Sequence, residues 1–98
     1  MNDRRSPREV LVEQIAVDTA QHWIEAVRRE LVRDGRPMDG AFPGTLSEAR
    51  ARAGEAFRRA TKERDLGAPD PTELDHIAHL TTGEARRAWR KLVNQVSP

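Results

Sequence analysis

The sequence predicts an all-α fold: a small four-helix domain in which two long helices precede a short helix-turn-helix pair. Two observations carry that expectation. Apolar residues recur at i, i+3, i+4 and i+7 through most of the chain, the spacing of one helical face. A small oxygen-bearing residue also stands three places before a glutamate at Ser6/Glu9, Thr45/Glu48, Asp70/Glu73 and Thr81/Glu84. At that spacing the side-chain oxygen accepts a free N–H of the first helical turn, and the glutamate reaches back to the cap residue. The chain therefore marks four helix starts. Ninety-eight residues suit one domain, read as 1–98 with a flexible stretch over 1–5 and a Gly/Pro-rich loop over 34–44.

The first helix is expected from Pro7 to about Arg33. Ser6 caps it, and Pro7 occupies the first helical position, where its missing N–H costs nothing. Gly35 follows as a C-terminal cap. One apolar stripe runs Val12, Ala16, Ala20, Trp23, Val27, Leu31, flanked by Val17 and Ile24. A second, Leu11 and Ile15, lies on nearly the opposite side. A helix apolar around so much of its girth needs cover on more than one side. The other helices supply that cover, or else a second chain does. Leu11 and Ile15 are thus the candidate partner-binding residues.

Residues 34–44, DGRPMDGAFPG, form a loop by turn chemistry. Met38 and Phe42 within it are expected to fold back on the core; the alternative is an exposed docking tip. The second helix is expected from Leu46 to about Asp65, ended by Gly67 and Pro69, with Leu46, Ala49, Ala53, Phe57 and Ala60 inward. Its small residues permit close helix approach but bury little area each. A third helix, Pro71 to about Leu80, carries Leu74, Ile77, Ala78 and Leu80. A fourth, Thr82 to about Val96, turns Ala85, Ala88, Trp89, Leu92 and Val96 inward. Trp23 and Trp89 both sit at core positions and should supply much of the buried area.

Composition narrows the function classes. Cysteine is absent, which removes disulfides and thiolate metal sites. Net charge is +1, so no overall basic field points to nucleic acid. No apolar run approaches the ~20 residues of a membrane span, and no signal peptide is evident, so a cytoplasmic protein is expected. No serine occupies a nucleophile elbow. The Gly40–Gly44 stretch lacks the Lys-Ser/Thr of a phosphate loop. An enzyme is not expected, nor is a cofactor.

Three clusters remain. His76 and His79 share a helix side near Glu73 and Asp75, a ligand set in kind. Their spacing is not that of a zinc-protease helix, and two exposed histidines are the plainer reading. On the second helix, Arg52, Arg58, Arg59 and Lys62 alternate with Glu48, Glu55 and Glu63, and the pairs Glu48/Arg52 and Glu55/Arg59 stand in the favoured acid-first order. That face neutralises itself. The fourth helix differs: Arg86, Arg87, Arg90 and Lys91, with Asn94 beside them, face one acid, Glu84, which is assigned to the cap. Leu80 to Gly83 would make the turn of a helix-turn-helix outline, and the basic face would meet phosphates and base edges. The leading expectation is a small non-catalytic protein-interaction or regulatory module, binding a protein partner or itself as a homodimer through the first helix. The alternative is a dimeric DNA-binding regulator using the basic face.

Overall fold

The computed structural model describes residues 6–96 and shows three helices, α1 (Pro7–Arg33), α2 (Leu46–Glu63) and α3 (Pro71–Val96), with no strand among the described residues. Residues 1–5, expected to be flexible, lie outside that range, as does the side chain of Val96. The all-α class holds; the four-helix count does not. The third and fourth predicted helices are one continuous 26-residue helix.

The reason lies at Thr81 and Thr82. Both are buried, and their hydroxyls donate to the carbonyls one turn back, Thr81 Oγ1 to Ile77 O at 2.7 Å and Thr82 Oγ1 to Ala78 O at 2.8 Å. A hydroxyl spent that way is not capping a new helix. No proline enforces a break there, and Gly83 costs only about 1 kcal/mol inside a helix. Against that, the buried stripe Leu74, Ile77, Ala78, Thr81, Ala85, Trp89 continues unbroken through the Thr-Thr-Gly segment. A single buried face outweighs one weak helix former.

The other three starts form, although at Ser6 the return bond from Glu9 to the cap is not made. Ser6 Oγ accepts the Glu9 N–H at 3.1 Å. Thr45 and Glu48 make a full capping box. Asp70 Oδ1 accepts the Glu73 N–H at 2.8 Å, and the Asp70 N–H donates to Glu73 Oε1 at 3.2 Å. At the far ends, α1 closes with Gly35 left-handed (φ 66°), Gly35 N–H on Val32 O and Arg36 N–H on Leu31 O. This is a Schellman closure. α2 closes the same way two residues earlier than expected, with Asp65 (φ 54°), not Gly67, in the left-handed position.

α3 packs against both other helices, whereas α1 and α2 touch each other less. The chain runs up, down and up, so α1 and α3 point the same way. The interior divides into two clusters along the bundle. One joins Leu11, Val12 and Ala16 of α1 to Ala53 and Phe57 of α2 and Leu74 and Ile77 of α3. The other joins Trp23 and Ile24 to Ala49, Ala85, Trp89 and the loop residue Phe42. Alanines at the seams bring the helices close. Leu46, expected inward, is instead 40% exposed.

The loop between α1 and α2 is part of the core. Phe42 stands edge-on to Trp23, with ring centroids 4.8 Å apart at 87°, and lies 5.5 Å from Trp89. Met38 packs half-buried on the same cluster. Trp89 Nε1–H donates to Gly40 O at 3.1 Å. The docking-tip alternative for Met38 and Phe42 is thereby set aside: the aromatic wedge gains more from burial than exposure would return. Gly44 is where the backbone slides past this cluster. A Cβ there would sit 2.2 Å from Trp23 Cζ2 and 2.4 Å from a ring carbon of Phe42.

Gly44→Ala should therefore lose about 1–3 kcal/mol through overpacking. Gly83→Ala, at an exposed helical position with open space around the new methyl, should gain about 0.5–1 kcal/mol. Urea unfolding followed by tryptophan fluorescence checks both, and equal effects of the two substitutions would contradict this account of the loop.

Candidate functional site

The sequence-predicted partner residues come first. Leu11 is 5% exposed and belongs to the domain's own core beside Phe57 and Ala53, and Ile15 packs half-buried on the same cluster. The Leu11 and Ile15 stripe of α1 is thus covered within one chain. The sequence could not show this, because the cover comes from residues some forty positions away. The more exposed large apolar side chains among the described residues are Val17, Val32, Leu46 and Leu66, scattered over different elements.

At the N-terminal end of α1 and α3, Arg8 forms a two-point ion pair with Glu73. Its Nε–H donates to Glu73 Oε2, and its Nη2–H donates to Oε1 at 2.9 Å and to Gly67 O at 2.9 Å. The guanidinium also lies 5.5 Å from the ring centre of Phe57. The hydrogen bond from Arg8 is the main force holding the Glu73 carboxyl below its ordinary range. Partial burial opposes it, and the Asp70 N–H adds to it. Arg8 is raised by the same bond. A cleft of about 290 Å3 opens beside this pair, lined also by Glu9, Val12 and His76. Glu73 already accepts three hydrogen bonds, which hold its carboxylate in place. The pair is a clamp between helix ends, and 65 residues of separation hid it from any local reading.

The histidines do not assemble into a ligand set. His79 Nδ1 lies 2.9 Å from Asp75 O, the ring N–H donating one turn back, while His76 borders the cleft by Arg8. Among the described residues no group of three or more His, Asp or Glu side chains is arranged to hold a metal ion. His22 is exposed and makes the same backward contact to Asp18 O. On α2, Glu55 and Arg59 pair at 3.3 Å as expected. Arg52 does not join Glu48; its guanidinium lies 5.8 Å from the Trp23 ring centre, and Glu48 serves the Thr45 cap.

The C-terminal half of α3 keeps its basic face. Arg86, Arg87, Arg90, Lys91 and Asn94 are all exposed. Glu84 is not at a cap; it pairs with Arg87 at 3.1 Å. Arg86, Arg90 and Lys91 have no ion-pair partner among the described residues. Arg86 and Arg90 stand one turn apart on the edge facing the loop. Between them and Gly40–Ala41 opens a notch of about 160 Å3 on Phe42, Trp89 and Val93. Arg86, Trp89, Arg90 and Val93 follow i, i+3, i+4, i+7 spacing, a signal visible in the sequence. That the loop supplies the opposite wall was not. With α3 continuous, no turn precedes this face, and the helix-turn-helix outline is absent.

No protein-family model matches the chain, and neither a curated protein nor a solved structure gives a match. No helix among the described residues is long and apolar enough to cross a membrane. The chemistry of the surface therefore has to carry the functional reading.

The Arg8–Glu73 clamp makes a pH prediction. Because the folded carboxyl titrates below its unfolded value, its contribution is fully present above the ordinary glutamate pKa of about 4.3. It is lost as pH falls through the lower folded value. Glu73→Gln, which keeps the cap geometry, should melt lower than the parent at neutral pH. That gap should close as the solution is acidified below about pH 4. A gap independent of pH in a series of thermal melts would show that the carboxylate charge is not its source.

Proposed function

We propose that this chain is a small non-catalytic protein-interaction module whose contact surface is the basic C-terminal half of α3. The observation that carries the reading is the set of unpaired cations Arg86, Arg90 and Lys91 on a rigid helix whose other face is locked into the core. Cations left without intramolecular partners confer electrostatic complementarity toward an acidic surface, which speeds encounter and fixes orientation. The reading places partner binding on α3 and not on Leu11 and Ile15, which the fold has already used. It also favours a non-catalytic role. Arg8 and Glu73, whose proton affinities are displaced, are spent on each other.

The DNA-binding reading draws on the same cations. Its support is thinner, because duplex binding relies on many phosphate contacts, whereas here Arg87 is tied to Glu84 and the chain's net charge is only +1.

Native mass measurement of the chain isolated from its own cells separates these readings. The expected result is a complex containing a second polypeptide, disrupted by moderate salt and by Arg90→Glu with Lys91→Glu, both at exposed positions. A nuclease-sensitive complex would overturn the protein-interaction reading, as would a chain that runs alone.

A further inference from the structure

We propose that the notch between α3 and the loop receives one apolar side chain from a partner segment whose flanking residues are acidic. This rests on the reading of α3 as a protein-contact surface and adds the chemistry of what it contacts.

Charge is the first argument. Four other clefts on the surface each carry carboxylates: Glu9 and Glu73 in one, Glu13 in others, Glu30 and Glu48 in a fourth. The notch has Arg86 and Arg90 on its rim and no carboxylate in its wall. Two unpaired guanidinium groups one helical turn apart present forked donors, matched to carboxylates on either side of an inserted residue.

Size and rigidity are the second. The volume of about 160 Å3 is near the roughly 150 Å3 known to accommodate a benzene ring in a protein interior, so one aromatic or branched side chain fits. The floor is set in place: Phe42 and Trp89 are held 7% and 1% exposed, and the Trp89 indole N–H is bound to Gly40 O. A preformed apolar seat ringed by charge is the usual build of an interface anchor site. A nucleic-acid backbone would use the arginines and leave that seat empty.

The test uses the full isotopically labelled chain titrated with a peptide carrying one phenylalanine within a run of glutamates. The expected result is saturable shifts of the Trp89 Nε1–H and of the Gly40 and Ala41 amides. Affinity should drop about tenfold when the peptide's phenylalanine becomes alanine, and about tenfold with Arg86→Ala or Arg90→Ala in the protein. Both arginines are exposed, so unchanged melting temperatures will show that the variants fold. Equal affinity for the phenylalanine and alanine peptides overturns the notch while leaving a basic contact surface on α3. So do shifts confined to Arg87, Lys91 and Asn94. Absence of binding, or a DNA duplex that displaces the peptide and shifts the same resonances more strongly, overturns it outright.

Discussion

The structure depends on α3 remaining a single helix through Thr81, Thr82 and Gly83. Both interior clusters are completed by α3, one by Leu74 and Ile77 and the other by Ala85 and Trp89. A break at the threonines would uncouple the two ends of the bundle. Continuity is secured because the threonine hydroxyls find carbonyls within their own helix, so they can be buried without leaving a polar group unpaired. The same continuity fixes the direction in which Arg86 and Arg90 emerge relative to the loop.

The two ends of the bundle are held by different physics. At the end where α1 and α3 begin, Arg8 ties Glu73 and the carbonyl of Gly67 together and lies over Phe57, an electrostatic clamp that is partly wet. At the other end the closure is aromatic: Phe42 wedges between Trp23 and Trp89, and Gly44 lets the backbone pass the indole. Arg52 covers the Trp23 ring from outside. Within the described chain the Trp23 Nε1–H is buried without a hydrogen-bond partner. The dense aromatic packing around it has to offset that cost, which runs to about 1–3 kcal/mol for a buried donor.

This division of labour gives the surface its character. Acids at the helix starts are consumed as caps, Glu48 with Thr45 and Glu73 with Asp70. Glu55 pairs with Arg59 and Glu84 with Arg87 along their own helices. Arg86 and Arg90 of α3 are set apart by the carboxylate-free notch that they border. The loop lies beside them because the same Trp89 that fills the core also holds Gly40.

Helical class, three of the four expected helix starts, the full extent of α1 and the burial of both tryptophans were legible in the sequence. Those features rest on contacts three or four residues apart, which local spacing records directly. Other features needed contacts between distant segments. Thr81 and Glu84 have the spacing of a capping box, yet burial on a continuous face overrules a cap worth about 1 kcal/mol. Leu11 and Ile15 look like spare surface until Phe57 and Ala53 arrive to cover them. The notch exists only where residues 40–42 meet 86–93, and the Arg8–Glu73 clamp only where the two helix ends meet. No periodicity along one segment reports which distant segment will lie against it.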